Sequence, residues 1–122
     1  MELELRAHQP AVLKSYAWFI ETAAKELDVP ILASECEPEP HKMRKTLLKS
    51  AFVHSKHRAQ YEMRTHFWVI TLEKLTESTK DTFLEYVQRN LPEAVAMRVV
   101  LHERKRLPEN IRDAMEKQQQ IE

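Results

Sequence analysis

"YEMRTHFWVITLEKL", residues 61–75, is the stretch on which the fold turns. Met63, Thr65, Phe67 and Val69 alternate with Glu62, Arg64, His66 and Trp68, the period of two that marks a long β-strand. The pattern blurs at Ile70, where a bulge is expected. Phe67 is read as a core side chain, whereas Tyr61 and Trp68 are assigned to neither core nor surface. Just upstream, Lys42 to Lys49 reads as another extended piece, which makes residues 53–60 the tip between two strands. A tip of that length is what the composition demands. The 122 residues contain no glycine, where about eight or nine would be ordinary, so two-residue Asn-Gly hairpins are excluded.

The missing glycine removes whole function classes. Phosphate-cradling P-loops, dinucleotide fingerprints and nucleophile elbows all need it where the backbone turns tightly or approaches a ligand. The length fits one domain with a modest core. With 31% charged residues and no apolar run near the roughly 18 residues of a membrane span, the chain is expected to be soluble. One cysteine, Cys36, cannot form an internal disulfide and suits a reducing compartment.

The rest of the chain supplies the partners of the long strand. "MELELRA" sets Met1, Leu3 and Leu5 against Glu2, Glu4 and Arg6, a strand with one buried face. It is neither basic nor apolar enough for a targeting segment, so the chain stays where it is made or has lost a leader. Val12, Leu13, Tyr16, Phe19, Ile20, Ala23, Ala24 and Leu27 then share a helical stripe, with Pro10 at its start and Pro30 beyond its end. "VPILASEC" is a second strand, broken off by the prolines of "EPEPHK". A second helix is expected with Ser78 as its cap, Asp81 three residues on, Phe83, Val87 and Leu91 inward, and Pro92 at its end. "VAMRVVL" closes the series as a strand with Val95, Met97 and Val99 on one side. The order strand, helix, strand, strand, helix, strand predicts an α+β ferredoxin-like βαββαβ plait: four antiparallel strands, two helices on one face and a long hairpin arm.

Charge is distributed unevenly over this plan. Between His41 and His66 lie seven cations, Lys42, Arg44, Lys45, Lys49, Lys56, Arg58 and Arg64, and a single acid, Glu62. That arm carries +6, and because the whole chain is neutral the remainder carries −6. His41, His54, His57 and His66 lie in or beside the same arm and gain charge near phosphate. A lysine-rich edge that discourages aggregation is the bland explanation, but edge protection rarely needs charge of one sign. The arm is instead expected to bind nucleic acid, its arginine forks and lysines on phosphate. Tyr61, Phe67 and Trp68 are the side chains that can stack on unpaired bases.

"RAQYEMRTH", Arg58 to His66, resembles the Gln-Tyr-Glu-Ile-Arg-Thr-His segment of the universal S-ten family of small-subunit ribosomal proteins. Glu21-Thr22-Ala23, Thr46, Thr76-Glu77, Thr79 and Val95 match in the same order, so the resemblance runs from Leu3 to about Leu101. Met63 in place of Ile, and "LEYVQRNLPEAVAM", are most similar to the mitochondrial branch. The resemblance implies a plait whose arm enters the head of the small subunit and touches ribosomal RNA and neighbouring proteins there. It implies no enzymic activity, no cofactor, no membrane association and no stand-alone homo-oligomer, in ribosomes of the mitochondrial matrix, with the presequence absent from this chain. The RNA-binding residues expected are Lys42, Arg44, Lys45, Thr46, Lys49, Lys56, His57, Arg58, Arg64 and His66. Two stretches depart from the family pattern: "SECEPEPHK" lacks its glycine and threonine, and Ser50-Ala51-Phe52 replaces its Ser-Pro-His.

The plait is expected over residues 1–102, with the arm at about 41–66, followed by an extension over 103–122. In the extension Arg104, Lys105 and Arg106 form a basic cluster, and Leu107, Ile111 and Met115 recur every four residues. A helix docking on a neighbour, then a disordered "KQQQIE", is the expectation. His54 and His57 lack further donors for a metal, and Glu35 with Glu37 has no apolar pocket to split their acidities. A transcription antitermination adaptor and a small-molecule-binding plait are the alternative functions, since the fold alone selects none.

Overall fold

The computed structural model describes residues 1–48 and 58–119. Its elements are β1 (Glu2–Ala7), α1 (Pro10–Glu26), β2 (Ile31–Cys36), β3 (His41–Leu48), β4 (Arg58–Leu72), α2 (Glu77–Arg89), β5 (Val95–Val100) and α3 (Glu109–Gln119). The sheet order is β2-β4-β1-β5, every pairing antiparallel, and β3 pairs with the far half of β4. This is the expected plait with one difference: the sheet has five strands rather than four, because the extended piece after the prolines forms a strand of its own, β3. Pro38 and Pro40 lie in the gap, where missing amide donors interrupt the ladder.

Register explains the core. Rows Val99–Leu3–Ile70 and Met97–Leu5–Trp68 run across β5, β1 and β4 and point toward the helices. Leu3, Leu5, Ile70 and Leu72 are fully buried there with Leu13, Ala17 and Ile20 of α1 and Phe83 and Val87 of α2. The alternation within β4 is therefore opposite to the expectation. Even-numbered positions face the core, and Phe67 lies on the open side of the sheet with the Arg6 guanidinium 5.4 Å from its ring centroid. Trp68 belongs to the core side, where its indole Nε1 donates to Ser34 Oγ at 2.9 Å and Ser34 donates in turn to Glu21 of α1. Nor is β4 bulged at Ile70. The register slips on β2 between Ile31 and Ala33, which leaves Leu32 as the extra, exposed residue.

The helix ends also shift from expectation. Thr76, not Ser78, caps α2: its backbone is extended and its Oγ1 accepts from the Thr79 amide. The helix stops at Arg89, so Leu91 falls outside the buried stripe and is exposed. Two carbonyls of its last turn are satisfied by side chains, Tyr86 O by Asn90 Nδ2 and Val87 O by the Tyr16 hydroxyl, both bonds at 2.7–2.8 Å. Tyr16 is buried, and that burial pushes its phenol up to about 12. Tyr16 also stacks on Phe19, which stacks on Tyr86, so aromatic contacts run from α1 to α2. At the end of α1 a Schellman arrangement forms without glycine: Asp28 takes φ 54°, while Val29 N donates to Ala24 O and Asp28 N to Lys25 O. Lys74 and Ala94 also adopt positive φ, at 54° and 62°.

Ala94 has a Cβ in a left-handed conformation and no polar side chain to compensate. Ala94→Gly is expected to stabilise the fold by about 0.5–1 kcal/mol, read as a higher melting temperature. Tyr16→Phe is expected to cost about 1–2 kcal/mol, because a buried carbonyl loses its donor. The raised phenol pKa adds a pH dependence. Its folded value lies above the unfolded one, so stability is full below pH 10 and falls as pH rises toward 12, a decline that denaturant titrations of the Phe variant should lack.

The candidate RNA-binding arm

β4 continues past the body for eight residues, and β3 lies along it with the pairs His41–Thr65, Lys42–Arg64, Met43–Met63, Arg44–Glu62, Lys45–Tyr61, Thr46–Gln60, Leu47–Ala59 and Leu48–Arg58. The strand thus begins at Arg58, within the stretch expected to form the tip. Lys49, Lys56 and His57, with His54, lie outside the described residues. At the root, His8 Nδ1 donates to the Arg64 carbonyl at 3.1 Å, which ties the loop after β1 to the arm. His66 sits opposite Ala7, half-buried where β4 leaves the body, at the base of the arm rather than along it.

Because directly paired residues share a face and neighbours along a strand alternate, this register sorts the arm into two sides. One side holds Lys42, Arg44, Arg58 and Arg64 with Thr46, Gln60, Leu48 and the acid Glu62. The other holds Met43, Met63, Leu47, Ala59 and Tyr61, with Lys45, His41 and Thr65 among them. Met43, Leu47, Tyr61 and Met63 are each about half exposed or more, at 49–60%. Of the expected binding positions that are described, Lys42, Arg44, Thr46, Arg58 and Arg64 share one side of the arm, and His66 lies at its base. Lys45 stands with the apolar set, opposite Tyr61.

Glu62 organises the cationic side. Its two carboxylate oxygens reach Arg64 Nε at 3.0 Å and Arg44 Nε at 3.6 Å, so one acid holds two guanidinium groups across the strand pair. The Arg64 hydrogen bond, with Arg44 and Lys42 adding to it, holds the Glu62 carboxyl below the usual carboxylate range. A cleft of about 530 Å³ opens beside this pair, lined by Arg44, Thr46, Gln60, Tyr61 and Glu62. The Arg44 and Arg64 side chains stay 69% and 58% exposed in these pairs, and a guanidinium fork is the group that matches phosphate oxygens.

Sequence reasoning missed the apolar side of the arm, although Met43, Lys45 and Leu47 already alternate; only the register shows that Tyr61 and Met63 join them. It also passed over Trp18, which is 67% exposed beside a groove of about 370 Å³ between α1 and α2. Among the described residues no cluster of three or more histidine, cysteine or acidic side chains is placed to hold a metal, and no helix is long and apolar enough to cross a membrane.

A plait with a charged hairpin standing off its sheet is suited to meet a polyanion, though a plait by itself selects no function. A sequence model of the ribosomal protein S10p/S20e family matches residues 2–100, and the chain belongs to that family. Its relatives include the small ribosomal subunit protein uS10m of Drosophila melanogaster, 49% identical over 116 residues that make up 95% of this chain and 67% of the relative. The proteins of that name from Rattus norvegicus and Danio rerio are 46% and 45% identical, over 94% and 91% of this chain and 73% and 59% of their own lengths.

Arg64→Ala removes the bond that depresses Glu62. The Glu62 carboxyl should then titrate closer to an ordinary glutamate in a carbon-detected NMR pH series. Its folded value lies below the unfolded one, so its favourable contribution is complete at neutral pH and is lost as pH falls through that value; the variant should narrow this window.

Proposed function

We propose that the chain is a structural, non-enzymic subunit of the mitochondrial small ribosomal particle, held in place by its two-sided arm. The carrying observation is the register that sets Lys42, Arg44, Arg58 and Arg64 on one side of β3 and β4. That side lies on ribosomal RNA phosphates, where contacts position the protein without reading sequence. Lys49, Lys56 and His57 extend the same charge in sequence beyond the described strands. Thr46 adds a hydroxyl to the phosphate-facing side, and His66 reinforces the root. The side with Met43, Leu47, Tyr61 and Met63 packs on a neighbouring protein of the subunit head, because exposed apolar area of this extent in a charged hairpin needs a cover. The plait body supports both contacts, and translation is the process it serves. The family and the relatives favour this reading over an antitermination adaptor or a small-molecule domain.

The test is sedimentation of mitochondrial ribosomal particles. The protein should travel with small subunits at high salt once assembled, whereas the free protein should bind RNA weakly, with affinity falling steeply as salt rises. Recovery of the protein only in light fractions would overturn the proposal. Arg58→Glu with Arg64→Glu should lower incorporation by about tenfold or more while moving the melting temperature of the isolated protein by no more than about 3 °C. A large loss of stability would instead assign those arginines to the fold.

A further inference from the structure

The extension after β5 presents an amphipathic helix that the plait does not cover. Ile111 and Met115 of α3 are 47% and 50% exposed and one helical turn apart, Leu107 just before the helix is 54% exposed, and Arg104, Lys105 and Arg106 lie exposed immediately before it. α3 runs through Gln119, so Lys117, Gln118 and Gln119 are helical rather than part of a tail, and residues 120–122 lie outside the described ones. Its internal support is small. An 11-residue helix is marginal in water without packing, and its pair Arg112–Glu116, at 3.9 Å, has the weaker charge order, with the base N-terminal to the acid. The stability of such a helix has to come from an apolar stripe laid on something else.

The family match ends at residue 100, before the extension begins. The match to the Drosophila melanogaster protein covers 116 of 122 residues, so it leaves out six and reaches into α3 to at least Glu116. α3 therefore lies outside what the general family model describes, and at least its first eight residues, Glu109 to Glu116, lie inside the match to a mitochondrial relative.

We infer that α3 is a docking helix that completes its folding on a protein neighbour belonging to the mitochondrial small subunit. The site on that neighbour is an apolar groove that receives Leu107, Ile111 and Met115, with acidic residues at the end that meets Arg104 and Arg106. Lys105 is already bridged to Glu103 at 3.2 Å, and Glu103 also lies 3.9 Å from Lys80 of α2, which moors the start of the extension to the body. Charge beside an apolar stripe argues for a groove with an acidic rim, since the cations then meet carboxylates while the stripe is desolvated. RNA would use the basic cluster but leave the stripe in water. This inference rests on the ribosomal reading.

The experiment places a photo-crosslinking amino acid at Ile111 in the full chain and isolates assembled small subunits. Protein adducts at peptides rich in acidic residues are expected. Adducts with ribosomal RNA, or incorporated protein that forms no adduct, would overturn the inference while leaving the ribosomal reading intact. Absence of the chain from small subunits would sink both. Amide exchange supplies a second readout: α3 should be protected at least about tenfold more in assembled subunits than in free protein. Equal rates in the two states would count against folding on a partner. Leu107→Asp, Ile111→Asp and Met115→Asp together should abolish the adduct formed from a crosslinker placed at Ala114 while the free protein melts as before. A drop in melting temperature would show that α3 packs on its own body.

Discussion

β4 hydrogen-bonds to β1, β2 and β3, and this single fifteen-residue strand is what makes arm and body one object. Its lower half lies at the centre of the sheet, where Ile70 and Leu72 are fully buried. Among the described residues, its upper half pairs only with β3. A hairpin on a flexible linker would lose much of its binding energy to ordering, whereas an arm continuous with a core strand is already oriented when it meets its target. His8 adds a brace at the point of departure. The direction in which the cations point therefore follows from the packing of α1 and α2 on the sheet, well away from the arm itself.

The same continuity separates the electrostatics. The charge excess of +6 between His41 and His66 is balanced by −6 elsewhere, so neutrality describes the total and not any surface. Within the arm, strand alternation divides the residues again, into a phosphate-matching side and an apolar side. Glu62 lowers the net charge of the cationic side, yet it also fixes Arg44 and Arg64 relative to each other. An exposed ion pair of this kind contributes little to folding, so its effect is on geometry.

A chain without glycine must build its turns by other means. Asp28, Lys74 and Ala94 take the left-handed positions that glycine usually fills. At Asp28 the cost is offset by two Schellman bonds and by burial of Val29 against the end of α1. Prolines do the complementary work, starting α1 at Pro10 and dividing β2 from β3 at Pro38 and Pro40. Local chain chemistry thus shapes the boundaries of a fold whose interior is set by apolar rows across β5, β1 and β4.

Much of this was legible in the residues. The period of two in "MELELRA" and "VAMRVVL", the helical stripe from Leu13 to Ala24 and the charge excess of the arm are local patterns, and local patterns need only backbone periodicity to be interpreted. What failed required knowing which strands are neighbours. Which side of β4 is buried cannot be derived from Met63 to Val69, because half of the strand is arm and half is core; the pairing of Leu3 with Ile70 and of Leu5 with Trp68 decided it. The bulge moved to Leu32 for the same reason, since a slip is a property of a strand pair. Likewise the sequence determined that the arm is cationic, while its division into two sides came from tertiary structure. A one-residue change of register between β3 and β4 would have mixed the methionines with the arginines, and nothing local to either strand sets that register.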